Sequence, residues 1–174
     1  MKHQENIRNA FNRMEHVFGK RPATALGSGV MSARLVDGLR CEAREADWQF
    51  TLDMPVDAGG TDVGPPPGVF GRAALASCLA MGYGICLARA GITPKSLEVV
   101  VEADYDNRGL LGMADVYPGY LAVRHTLYLE CDAPHDALQA AIDEAQRCSP
   151  YLHVFRDAQS VTGQVVFGPR PQTA

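Results

Sequence analysis

Cysteines at positions 41, 78, 86, 131 and 148 are the residues in this sequence whose chemistry is least ordinary. An odd number, with no CxxC pair and no Cys/His cluster at zinc spacing, argues against a secreted disulfide framework and against a zinc module. In a reducing compartment the options left are inert thiols that only pack, or a dedicated pair that meets an oxidant. Two of the five stand out. Cys78 lies inside Ala73-Ala74-Leu75-Ala76-Ser77-Cys78-Leu79-Ala80, with Gly71, Ala74, Leu75, Met81, Gly82 and Ile85 at helical neighbour spacing. Burial there would by itself silence a thiol, so the alternative reading is a small core residue. Cys148 ends a helical segment and precedes Ser149-Pro150, where Ser can cap and Pro can open a new helix through Tyr151, Leu152 and Phe155. A sulfur at that corner is expected to face unpaired backbone N–H groups that favour the thiolate; the alternative is an incidental Cys at an ordinary corner.

The remaining candidates carry less. Cys86 follows Cys78 by eight residues, about 80° around a helix, and reads as packing. Cys41 and Cys131 sit on or beside strands and read as structural. His125 falls on the apolar side of its strand, as a satisfied core histidine would. His153, five residues after Cys148, either modulates that thiol or lies on the surface. Gly82-Tyr83-Gly84 lacks the third glycine and the preceding strand of a dinucleotide loop. Asp104 and Asp106 read as a strand end, without the paired geometry of a glycosidase. No cofactor or metal is implied.

These residues need elements to hold them. Ile7, Phe11, Met14 and Phe18 predict an amphipathic helix over residues 3–18. Asp37-Gly38 sits between two β-like runs, residues 30–36 and 39–44, as a tight hairpin turn would, and residues 48–52 extend that unit. The Gly/Pro-dense stretch 55–68 is loop. Residues 69–90 then predict a long helix closed by Gly91, apolar on nearly every side and therefore expected to be buried all round, with a second copy as the natural cover. Strands are expected over 97–106 and 120–130, a helix over 134–147 and a closing strand over 161–167. Strands and helices in this order make an α+β fold. The length of 174 residues fits one domain, 1–174, with residues 1–20 as a helical extension.

Composition narrows the partners. Sixteen Lys and Arg against twenty Asp and Glu give a net charge of −4, which supplies little of the counterion release that drives nucleic-acid binding. The N-terminal residues form no apolar signal core, and the charge-free run from Ala73 to Ala88 is short of the roughly 20 residues a bilayer span needs. A cytoplasmic protein with neither nucleic-acid nor membrane partners is expected.

The run Gly59-Gly60-Thr61-Asp62-Val63-Gly64-Pro65-Pro66-Pro67, the segment Ala73 to Met81, Gly91-Ile92-Thr93, the strand Leu97 to Val101, and Ala145-Gln146-Arg147-Cys148-Ser149-Pro150-Tyr151 together resemble the OsmC/Ohr family of organic hydroperoxide reductases. The resemblance covers about Val30 to Phe167. It implies antiparallel sheets wrapped around a long buried central helix, in an intertwined homodimer. It also implies catalysis by two cysteines: Cys78 attacks the peroxide and becomes a sulfenic acid, Cys148 resolves it as a disulfide, and an external dithiol reductant restores both. An apolar site would prefer alkyl or fatty-acid hydroperoxides. The family further places an Arg ahead of the helix and a Glu in its first turn. Here Gly68-Val69-Phe70 holds no Glu, the loop 55–67 holds no Arg, and Arg72 lies about 120° around the helix from Cys78. Activation would fall to Arg34, Arg44, Arg147 or Arg156, from either chain. Without it, the alternative is a non-catalytic dimer of the same fold that binds a hydrophobic small molecule. A hot-dog-like thioesterase is a third reading, against which the two cysteines argue.

Overall fold

The computed structural model describes residues 2–113 and 115–168. The element order is α1 (Lys2–Lys20), β1 (Ser32–Asp37), β2 (Arg40–Glu45), β3 (Trp48–Leu52), α2 (Pro67–Arg89), β4 (Ser96–Tyr105), α3 (Asn107–Leu110), β5 (Tyr120–Glu130), α4 (His135–Arg147) and α5 (Pro150–Arg156). Mixed helices and antiparallel sheets around a long central helix make this an α+β fold, as its sequence predicts.

Gly38 has φ +54°, a left-handed backbone that glycine adopts without a Cβ clash, and it turns β1 back onto β2. β2 is the middle strand, with Ala43 opposite Ala33 on one side and Phe50 of β3 on the other. This sheet meets α2 through the Phe50 ring, set edge-on to Phe70 at 5.6 Å between centroids. The second sheet is an antiparallel pair. Leu97, Val99, Val101 and Ala103 of β4 stand opposite Leu129, Leu127, His125 and Val123 of β5, and all share one half-buried face. Period-two alternation puts them there, because a one-residue slip would turn every one of them to solvent.

That face packs under α2. Leu75, Leu79 and Tyr83 of α2, Ala145 of α4 and Leu152 of α5 form the buried centre, with Leu97, Val99, Val101, Val123, Leu127, Ile142 and Phe155 around it. By length and composition alone α2 could cross a membrane. Its 23 residues, about 34 Å at 1.5 Å per residue, instead lay one stripe on the β4–β5 sheet and α4. The opposite stripe, Val69, Ala73, Ser77 and Met81, is exposed within the single chain, Met81 at 66%. The helix is therefore apolar all round, but among the described residues no element covers the stripe from Val69 to Met81.

The predicted closing strand is also corrected. Residues 158–168 form no helix or strand, and Val161, Val165, Val166 and Phe167 are exposed, Phe167 at 95%. Their β-branched and aromatic side chains suit a strand, but within the described residues they pair with no sheet edge.

Candidate active site

α2 and α4 run antiparallel at close range. Gly82 faces Ala145, the Tyr83 hydroxyl accepts from Gln146 Nε2 at 3.1 Å, and Cys78 lies against Ser149 with 3.5 Å between Sγ and Oγ. Stepping back along α2 steps forward along α4, so the thiol at mid-helix meets the corner where α4 ends and α5 begins.

That corner is built from local chemistry. Ser149 is the N-cap of α5: its Oγ accepts from Leu152 N at 3.4 Å, and Pro150 occupies the first helical position, where its missing N–H costs nothing. Cys148 is the C-cap of α4, its N–H bonded to Glu144 O at 3.0 Å. Two adjacent residues thus cap two helices and point in different directions. Ser149 turns inward and is 2% exposed, while the Cys148 side chain is exposed and its thiol donates to Glu144 Oε1 at 3.4 Å.

The expectation that Cys148 faces the N–H groups of α5 is therefore corrected; Ser149 takes that place. Desolvation, then the hydrogen bond to Glu144, pushes the Cys148 thiol up, and the attraction of Arg147 and Arg89 does not offset them. Glu144 itself is held down to about 2, first by its paired hydrogen bonds from Arg147 at 2.7 and 2.8 Å and then by Cys148.

The other candidates fall as follows. Cys86 is half-buried against the core and lines a cleft of about 370 Å³ with Asn12, Arg89, Ala140, Ala141 and Glu144; burial, then Glu144 and Cys148, pushes its thiol up. Cys131 donates to Thr93 O at 3.7 Å, and Cys41 sits in β2 opposite Leu35 and Leu52. All five cysteines are free thiols. His125 lies on the inner face of β5, and burial, then Arg156, lowers its pKa, which keeps it neutral near pH 7. His153 bridges the corner, Nδ1 to Asp157 Oδ2 at 2.8 Å and Nε2 to Arg147 O at 3.0 Å.

None of the candidate activating arginines bonds the Cys78 sulfur. Arg44 donates to Gln49, Arg147 pairs with Glu144, Arg34 lies exposed on β1, and Arg156 acts on Tyr83 and His125. Arg72 bonds the Tyr120 hydroxyl at 3.5 Å, and that hydroxyl donates to Gly68 O at 3.2 Å. Tyr120 also stacks on Phe155, so β5 and α5 together pin the first turn of α2. Sequence reasoning found Ser149 only as a cap and did not find Tyr120. The one signal for the first was a small polar residue between a helix-ending Cys and a helix-opening Pro.

The family model for OsmC-like proteins matches residues 59–163. The chain belongs to the OsmC-like family. The matched region holds α2, the β4–β5 sheet, α4 and α5, and with them both Cys78 and Cys148. Among solved structures, an OsmC-like protein from Mycoplasma pneumoniae superposes with a TM-score of 0.63 at 18% identity, covering 75% of this chain and 88% of its own. An organic hydroperoxide resistance protein OsmC from Legionella pneumophila gives 0.54 at 17%, covering 75% and 90%. An organic hydroperoxide resistance protein from Elizabethkingia anophelis gives 0.55 at 16%, covering 75% and 89%. At these identities the likeness is one of fold. No protein of curated function matches the chain in sequence. As an OsmC-like protein the chain departs from the pattern its resemblance implies in three places: the first turn of α2 carries no acidic residue, the loop 55–67 ahead of it carries no arginine, and the side chain against Cys78 is a hydroxyl rather than a second thiol.

Proposed function

We propose that this OsmC-like protein reduces organic hydroperoxides, with Cys78 as the attacking thiol and Cys148 as the resolving one. The Cys78 thiolate attacks the terminal peroxide oxygen, the O–O bond breaks, and the departing alkoxide takes a proton to leave as the alcohol. Cys78 is then a sulfenic acid. The Cys148 sulfur attacks it, a disulfide forms, and hydroxide leaves with a proton as water. Two exchange steps with an external dithiol return both thiols and release the reductant as its own disulfide.

The observation that carries this reading is the Cys78–Ser149 contact, which ties the middle of α2 to the corner where Cys148 is the preceding residue. Cys148 is exposed and its thiol is held by a single hydrogen bond to Glu144, so in this reading the corner turns to bring it to Cys78. An alkyl rather than a hydrogen peroxide substrate is proposed on the family resemblance. A second copy of the chain is proposed on the exposed stripe of α2, where Ala73 and Ser77 permit close helix approach.

The test is turnover of an alkyl hydroperoxide with a dithiol reductant. Wild type consumes peroxide catalytically and Cys78→Ser loses at least a hundredfold. Cys148→Ser accumulates a sulfenic acid on Cys78 that dimedone traps. Peroxide consumption by Cys78→Ser at the wild-type rate contradicts the proposal. The absence of an acidic residue from the first turn of α2 favours a second reading, binding of a hydrophobic small molecule without catalysis. That reading predicts retention of such a ligand, with no peroxide consumed by wild type.

A further inference from the structure

Ser149 does more than cap α5. Its oxygen already accepts the Leu152 N–H, and the residue is 2% exposed, which keeps bulk solvent from its proton. The group within hydrogen-bonding reach on the other side is the Cys78 sulfur, at 3.5 Å, inside the distance expected for a bond to sulfur. A buried hydroxyl seeks an acceptor, and a thiolate is a far better acceptor than a thiol.

We infer that Ser149 is a positioning residue for Cys78: its hydroxyl donates to the sulfur, favours the anionic form and fixes the direction in which that sulfur faces a substrate. This rests on the reading of Cys78 as the working thiol and supplies an activating contact that none of the described arginines of this chain provides. Of the charged groups on the elements packed around this stretch of α2, none bonds the sulfur, and all but Arg156 are bonded to another side chain. Arg89 of α2 pairs with Glu15 of α1, Arg147 with Glu144 on α4, and His153 with Asp157 beyond α5. Arg72 is taken by Tyr120, while Arg156 of α5 acts on Tyr83 and on His125 of β5. A neutral donor at contact distance is what remains for the sulfur.

The experiment is the pH profile of Cys78 alkylation by iodoacetamide, resolved from the other four cysteines by peptide mass spectrometry, in the full chain. Removing the hydroxyl by Ser149→Ala is expected to move the profile to higher pH by about one unit, a roughly tenfold slower reaction at pH 7. Ser149→Gly guards against a folding defect, since glycine at an N-cap costs the helix only a few tenths of a kcal/mol. It is expected to shift the profile equally. Ser149→Thr, which keeps the hydroxyl, is expected to restore it. Profiles in the alanine and glycine variants that superpose on wild type overturn the inference. No peroxide enters this assay. A shifted profile in a protein that consumes no hydroperoxide would therefore sink the proposed function and leave this inference standing, and the converse result would do the opposite.

Discussion

The carboxylate of Asp53 accepts four hydrogen bonds from the loop that leads into α2: Met54 N at 2.8 Å, Thr61 N at 2.9 Å, Thr61 Oγ1 at 2.6 Å and Val63 N at 3.4 Å. Thr61's hydroxyl is the largest influence holding this carboxyl down to about 2, against burial that pushes the other way. The loop closes so tightly that a Cβ on Gly60 would come within 1.8 Å of Met54 O. Since the folded pKa lies below the ordinary value of 3.8, the stabilisation is present above that value and is lost as pH falls from about 4 toward 2. Asp53→Asn, which turns an amide NH₂ toward these N–H donors, is expected to lower the thermal midpoint at pH 7 by several degrees, and the gap to wild type is expected to close near pH 2. A constant gap across that range in calorimetry contradicts the assignment. A companion test concerns the corner itself: Ser149→Cys is expected to form a disulfide with Cys78 on mild oxidation, faster than Cys148 does in wild type.

At the scale of elements, the α4–α5 corner is held by His153, whose two ring nitrogens meet the Asp157 carboxylate and the last carbonyl of α4. Both partners are acceptors, so the doubly protonated ring fits best, and the pKa is raised, chiefly by Asp157. A raised folded value means the clamp is complete below about 6.5 and is lost as pH rises through the folded value. Hydrogen exchange of the Leu152–Phe155 amides is expected to be faster in His153→Ala than in wild type at pH 6 and alike at pH 9; no difference at pH 6 contradicts the clamp. Beneath the corner, Leu79 of α2 is buried, and Leu79→Ala is expected to cost about 2–5 kcal/mol in chemical denaturation. Much at this scale was legible in the sequence. Gly91 closed α2, Asp37-Gly38 turned the hairpin, and alternation set which residues of β4 and β5 face inward. The direction of Cys148 was not, because the choice between two adjacent capping residues depends on how α4 lands on α2, and that packing is absent from local spacing.

For the whole molecule, the same limit governs what the sequence could say about cover. Uniform apolarity marked α2 as a core helix, but whether a single chain or two would bury its second face is a question of assembly. Val69 and Met81 remain exposed, Val161, Val165, Val166 and Phe167 find no pairing edge among the described residues, and the β1–β3 sheet leaves Leu35 and Trp48 exposed. Exposed apolar surface spread over three elements is what a second copy would cover. Sedimentation is expected to give twice the chain mass of 18.8 kDa. Met81→Glu is expected to yield the single-chain mass with helical content retained, and a dimer that survives this change places the interface elsewhere. Whether the Cys78 and Cys148 sulfurs join under peroxide is read by peptide mapping. After one equivalent of an alkyl hydroperoxide under non-reducing conditions, a linked pair of peptides joining Cys78 to Cys148 is expected, with Cys41, Cys86 and Cys131 still alkylatable. Recovery of unmodified Cys78 after the peroxide, or a linkage that omits it, would rule out the two-cysteine reaction.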